Sequence, residues 1–367
     1  MSEETEKEAP VKKKIRLSYS ENVPELLHKL NCSIAISTYQ AGKLIFLTAI
    51  TPNKITQIPK SYKKPMGIAI DGNRLAIATL NYVEVLKNVP ELARSFPMRP
   101  GLYDSMFLPR ASYYSGLLDL HDLHWTNQGL IAVNTMFSCI SRIDQEYSFT
   151  PLWQPPFISE LRPEDRCHLN GLAVKDGEPM YVSALGTNDY KDSWRENIAT
   201  DGVVMHIPTS KIILDGLPMP HSPRVYGDDL YVLLSATGQL LIHNLITGKE
   251  KIMDLPGFVR GMCEYNEYIF IGLSQIRKGS KSFNKLPVKE KAEKAGVIII
   301  FKPTSSIIGH LTYDEGVEEI YDVQVIPGVR VPGILSAENE IHLSSIAAPG
   351  MNYWKKERKQ EKESENN

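Results

Sequence analysis

Residues 165–186 read DRCHLNGLAVKDGEPMYVSALG. A polar turn leads into a short strand, Leu172 to Val174. Lys175-Asp176-Gly177 makes a tight turn, and a second strand runs from Met180 to Ala184. Short apolar runs bounded by Gly and Asp mark a β-hairpin. His168 and Asn170 stand just before the first strand. Five other segments repeat the layout. They are MGIAIDGNRLAIAT from Met66, HDLHWTNQGLIAVNT from His121, HSPRVYGDDLYVLLS from His221, RGMCEYNEYIFIGLS from Arg260 and YDVQVIPGVRVPGIL from Tyr321. In four of the six copies the second strand is read to start nine residues after the leading residue. Asn170 needs one or two more, and the last copy continues less cleanly. Leading residues recur every ~51 residues on average, near the period of four-stranded propeller blades. Six copies predict an all-β, six-bladed β-propeller. A sandwich of hairpins is the competing architecture, but a register shared across variable insertions favours the propeller.

The stretch SIAISTYQAGKLIFLTAI, Ser33 to Ile50, reads as two strands with no leading residue. Tyr321 is a leading residue with few strands after it. The N-terminal strands are therefore expected to complete the C-terminal blade, closing the ring and removing its sheet edges. This gives one domain over 21–350, with charged, disordered tails at 1–20 and 351–367. NVPELLHKL (22–30) reads as a short amphipathic helix.

With 41 Lys and Arg against 43 Asp and Glu, the net charge is -2, which leaves no basic footprint for nucleic acid. No apolar run reaches spanning length and no signal-peptide pattern opens the sequence, so a cytoplasmic protein with no membrane partner is expected. The four cysteines lack CxxC spacing and read as reduced and buried. Cys167, beside His168, is the one to check for reactivity. Four long insertions separate the blades. Leu86 to Leu118, Tyr147 to Cys167 and Thr187 to Asp201 are aromatic and suit a lid or pocket wall. Gln275 to Ala295 is mostly Lys and Glu and reads as a solvated excursion.

In a propeller the innermost strands line a central channel, so equivalent positions far apart in sequence converge. Met66, His121, Asn170, His221, Arg260 and Tyr321 are expected to form a ring at one mouth. His121, Asn170 and His221, with Glu318 as the first carboxylate and Glu319, Asp122 or Asp322 behind it, would hold one divalent metal ion. Alternatively, the two imidazoles hydrogen-bond a polar substrate directly. Arg260 and Arg224 suit an anionic group, though Arg224 reads equally as a structural pair. His168 at the rim and Arg195 beside Trp194 complete the substrate-binding set. His124 falls on the opposite face and reads as a core residue. No GxSxG, HExxH, P-loop, GxGxxG or EF-hand pattern is present.

Two resemblances follow from these residues. Asn170-Gly171-Leu172-Ala173 resembles the inner-strand signature of the calcium-dependent lactonases of the gluconolactonase and regucalcin group. That resemblance implies a metal-ligand role for Asn170. His121 and His221 depart from the oxygen ligands of that group. The second spans about Ser37 to Pro332. STYQAGKL, LHDLHW, VNTMFSCISRID, PLWQPPFISEL, PEDRCHLNGLA, SWRENIATDGV, LPMPHSPR, LPGFVRG and GVEEIYDVQVIPGV resemble the blocks of an uncharacterised family of bacterial propeller-like proteins, sometimes joined to tetratricopeptide repeats. It implies the fold and no chemistry.

The expected function is an enzyme of hydrolase or lyase class, with its site at the channel mouth, acting on a small polar or anionic molecule. His121, His221 and Tyr321 would be its catalytic residues. No nucleotide cofactor is expected. The rival is a non-catalytic platform for a partner protein or peptide, with Trp153 and Phe157 at its interface.

Overall fold

The computed structural model describes residues 14–276 and 282–355. Six sheets, each built on four antiparallel strands, surround a channel, and Pro332–Ile334 adds a parallel fifth strand beside Ser105–Tyr114. Blade 1 begins at Ile68–Asp71, blade 2 at Leu120–Thr126, blade 3 at Leu169–Lys175, blade 4 at Pro220–Tyr226, blade 5 at Phe258–Tyr265 and blade 6 at Asp322–Pro327. These are the inner strands. In blades 1 to 5 the next strand starts eight residues after the leading residue (Arg74, Gly129, Glu178, Asp229 and Tyr268). The register is thus one residue tighter than the sequence suggests and includes Asn170 without exception.

Blade 6 closes the ring as expected. Asp322–Pro327 pairs with Cys32–Thr38, which continues into Lys43–Thr51 and Lys54–Ser61. Ile34, Ile36, Ile45 and Leu47 are fully buried there. Each such side chain contributes about 1.5–3 kcal/mol by leaving water. The helix Val23–Leu30 lies where NVPELLHKL predicts it, with Val23 and Leu27 inward and Asn31 ending it in the left-handed conformation.

Both expected tails differ in part. Arg16–Tyr19 adds a fifth strand to blade 5 by pairing with Ser306–Glu315, and Leu17 lies opposite Tyr313. That strand covers an edge that would otherwise expose unpaired backbone. At the other end Ser345–Ala348 and Met351–Trp354 form a hairpin. The Trp354 indole donates to Leu92 O at 2.9 Å and packs on Phe96. The remaining tail positions, 1–13 and 356–367, lie outside the described residues, as do 277–281 of the Lys-rich insertion.

Two aromatic insertions carry regular structure. Ser105–Tyr114 and Thr150–Trp153 are the outer strands of blades 1 and 2. Trp153 and Phe157 pack against the core between blades 2 and 3, with Trp153 Nε1 on Ser210 Oγ at 3.0 Å. They do not form an open aromatic interface. Within the described part of the Lys-rich insertion, Leu286 and Val288 are buried against Trp194 and Phe258. That part is a wall of the channel mouth, because its apolar residues turn inward while its lysines stay in water.

Neighbouring blades are joined by a recurring clasp. A hydroxyl late in one blade's second strand donates to a carbonyl at the start of the next inner strand. Ser37 donates to Met66 O, Thr135 to Leu169 O, Ser235 to Val259 O and Ser274 to Ile320 O, at 2.5–2.9 Å. Between blades 3 and 4 the clasp has a relay. Ser183 donates to Asn170 Oδ1 at 2.6 Å, and Asn170 Nδ2 donates to Pro220 O at 3.0 Å.

Candidate functional site

Five of the six leading residues, Met66, His121, His221, Arg260 and Tyr321, line one cavity of about 150 Å³ at a channel mouth. Asn170 does not line it. Its amide is spent on the clasp, and His168, two residues earlier, takes the place in the cavity wall. An irregularity in the pairing between Leu169 and Gly171 accompanies this change. Bulges of this kind re-aim side chains.

His121 and His221 are held alike. His121 Nδ1 lies 2.9 Å from Asp119 O, and His221 Nδ1 lies 3.1 Å from Met219 O. In both cases the carbonyl belongs to the residue two before, and that residue is left-handed (φ 49° and 59°). A left-handed Met is uncommon, and such conformations gather at functional sites. Burial depresses the pKa of both imidazoles well below the ordinary value. For His121 the neighbouring His168 and Arg260 add to this, and for His221 Arg260 does. Both rings are therefore neutral at physiological pH.

His168 Nδ1 lies 2.8 Å from Asp165 Oδ2, and Trp194 Nε1 donates to the same oxygen at 3.0 Å. The indole also packs on the His168 ring, with centroids 4.0 Å apart. Burial pushes the Asp165 carboxyl up to about 8, against the opposing hydrogen bond from Trp194. Carboxyl and imidazole are thus held together as one hydrogen-bonded pair. Asp165 and Trp194 were not assigned roles from sequence. The only signal for Asp165 was its place three residues before His168.

Arg260 pairs with Glu319 at 3.3 Å and stacks over the Tyr321 ring at 3.7 Å, with Tyr39 stacked beyond. Tyr321 thus forms the wall that positions the guanidinium. Arg195 is half exposed at the rim, stacked on Trp194 and paired with Asp192.

Arg224 is not at the mouth. It lies one layer deeper, beside a space of about 10 Å³, roughly one water molecule. Its Nη1 donates to Asp122 Oδ2 at 2.9 Å, to Leu172 O and to Pro223 O, and its Nε donates to Met262 O. Every position following a leading residue follows an alternating rule. Gly67, Gly171 and Gly261 alternate with Asp122, Ser222 and Asp322. Each acceptor receives a backbone N–H from the following blade, from Leu172, Gly261 and Ile68 respectively. Asp122 and Asp322 are therefore ring-closing acceptors.

Burial opposes ionisation of Asp122, but Arg224 and His124 more than offset it and hold the carboxyl below its usual range. Asp322 is pushed up to about 6 by burial and by the Asp122 charge. The folded Asp322 keeps a proton that the unfolded chain has released between about pH 4 and pH 6. Stability falls as pH rises through that window and levels off above it. Asp322→Asn, although less stable overall, is expected to show a flatter profile there. Urea midpoints at pH 4, 5, 6 and 7 test this, and equal slopes in both proteins would refute it.

The expected metal set does not come together. Glu318 is exposed outside the cavity, Asn170 Oδ1 accepts from Ser183, and Asp122 and Asp322 serve the backbone below. Among the described residues no group of three His, Cys, Asp or Glu is placed to hold a metal ion. The lactonase-like reading of Asn170 has no support in this geometry. Cys167 is fully buried and its thiol is pushed up to about 12, so it is inert. No helix among the described residues is long and apolar enough to cross a membrane.

Residues 21–335 match the family described as "Domain of unknown function (DUF4915)". No curated protein matches. Among solved structures, one from a nidogen/laminin complex aligns with TM-score 0.50 at 10% identity, covering 81% of this chain and 99% of that one. A protein of unknown function from Bacteroides caccae aligns with TM-score 0.47 at 9% identity, covering 80% and 98%. TolB from Acinetobacter baumannii aligns with TM-score 0.46 at 9% identity, covering 82% and 66%. At these identities the first likeness speaks to the fold alone.

Proposed function

The chain belongs to the DUF4915 family, whose description assigns no activity, and we propose a function for it from the channel mouth itself. The mouth binds a small polar molecule carrying an anionic group and acts on it by acid–base chemistry. The observation that carries this reading is the convergence of His121, His168, His221 and Arg260, from four successive blades, on one cavity of about 150 Å³. Arg260 supplies the cationic fork for a carboxylate or phosphate. The Tyr321 ring beneath it keeps that fork planar to the cavity wall.

His168 is the proton-transfer group. With Nδ1 on Asp165, its Nε2 is the nitrogen that serves the cavity; once the Asp165 carboxyl, raised to about 8, has released its proton, it accepts Nδ1–H and lets Nε2 act as the base. Trp194 fixes the carboxyl in turn. Hydrolysis or elimination is the class of reaction these groups suit, since both need one well-oriented base near an anionic group. His121 and His221 orient the substrate.

Calorimetric titration with small carboxylates and inorganic phosphate tests the reading. Arg260→Gln removes a charged hydrogen bond of about 1.5–3 kcal/mol, so binding is expected to weaken by roughly 10- to 150-fold. His168→Gln is expected to leave binding within a few-fold while removing any turnover. Anion binding that Arg260→Gln leaves unchanged would overturn the proposal.

A further inference from the structure

The protonation of the two leading histidines is fixed by their neighbours. A backbone carbonyl has no proton to give, so Nδ1 of His121 is the donor in its 2.9 Å bond to Asp119 O. His221 Nδ1 meets Met219 O at 3.1 Å and Ser235 Oγ at 2.9 Å. The Ser235 proton is already committed to Val259 O at 2.6 Å, so this serine accepts from the histidine as well. Both rings therefore carry their proton on Nδ1. In a neutral imidazole the other nitrogen, Nε2, is then an acceptor. The left-handed residue two positions earlier holds each ring in the same way in blades 2 and 4.

Among the described lining residues the two leading imidazoles are thus fixed acceptors beside the Arg260 guanidinium, with Arg195 at the rim and the Asp119 and Asp165 carboxyls in the wall. A site for a bare anion would present donors all round. A plain carboxylate turned toward Arg260 would set its apolar carbons, or its second oxygen, against two imidazole lone pairs. We infer that the natural ligand is a hydroxylated carboxylic acid of about six to ten non-hydrogen atoms, a size set by the cavity volume, whose hydroxyls donate to Nε2 of His121 and His221. This rests on the proposed anion contact at Arg260 and adds the donor requirement to it.

Two pairs of acids separate the contributions: glycerate against propionate, and threonate against butyrate, with glycerol as a neutral control. Calorimetry on the full chain is expected to show glycerate and threonate binding at least about tenfold tighter than their deoxy partners, each neutral hydrogen bond giving about 0.5–1.5 kcal/mol. His121→Phe and His221→Phe should each shrink that preference and leave the weak binding of propionate in place. If His221→Phe fails to fold, His121→Phe together with the acid pairs on the wild type decides the question. Equal binding of hydroxylated and deoxy acids, both lost in Arg260→Gln, would overturn the hydroxyl inference and leave the anion site standing. Binding of glycerol as tight as glycerate would overturn the anion site and leave the acceptor pair. Failure of all five compounds at millimolar concentration would overturn both.

Discussion

Arg224→Gln is expected to destabilise the folded protein by about 3–5 kcal/mol, the range for breaking a buried ion pair by removing one partner. The guanidinium lies in blade 4 yet donates to Asp122 of blade 2, Leu172 O of blade 3 and Met262 O of blade 5. A shorter neutral amide would leave the Asp122 carboxylate buried beside Asp322 with no cation between them. It would also take a donor from the Leu172 and Met262 carbonyls. Arg224→Lys should recover only part of the loss, because a single ammonium cannot span the same set of acceptors. Guanidinium denaturation of the three proteins measures the effect. A loss within about 0.5 kcal/mol, as at an ordinary surface site, would mean that the deep layer does not hold the ring together.

Gly261→Ala tests the same layer through its backbone. Gly261 has φ +75°, and a Cβ there would lie 2.6 Å from Asp322 Cα and 2.8 Å from Val323 N. Both atoms are main chain, so neither can swing aside. Overpacking and the left-handed conformation together are expected to lower stability by about 2–4 kcal/mol. Gly72→Ala is the matched control. It shares the positive φ, at +54°, but a Cβ there meets nothing within 4 Å. It should lose only the conformational part, about 1–2 kcal/mol. Equal losses at the two sites would show that blades 5 and 6 are not in tight contact at this point.

Most of the fold could be read from the hairpin copies, because each blade repeats one inner strand, one turn and one apolar second strand. Ring closure was legible for the same reason: Ser33 to Ile50 supplied strands without a leading residue, and Tyr321 the reverse. The deep layer was also written in the sequence, as Gly67, Gly171 and Gly261 against Asp122, Ser222 and Asp322. It becomes visible only when the residue after each leading position is compared with its counterparts. Asn170 misled because a motif fixes the residue and not where its amide points. Ser183 and Pro220, distant in sequence, decide that. Arg224 stayed open between a ligand clamp and a structural pair because a guanidinium suits a carboxylate of the protein as well as one of a ligand. The Lys-rich insertion misled because composition averages over position, and Phe283, Leu286 and Val288 are the residues that face inward.

The two leading imidazoles of the channel mouth are neutral acceptors beside Arg260. Nitrogen-15 NMR of histidine-labelled protein, titrated from pH 8 to pH 5 and then with glycerate, tests this most directly. His121 and His221, assigned through single substitutions, should remain in the neutral Nδ1–H form well below the pH at which an ordinary histidine takes up its proton, because burial and Arg260 oppose the charge. Their Nε2 signals should shift when glycerate is added. Titration of both rings near pH 6.5, with no response to the acid, would contradict the account.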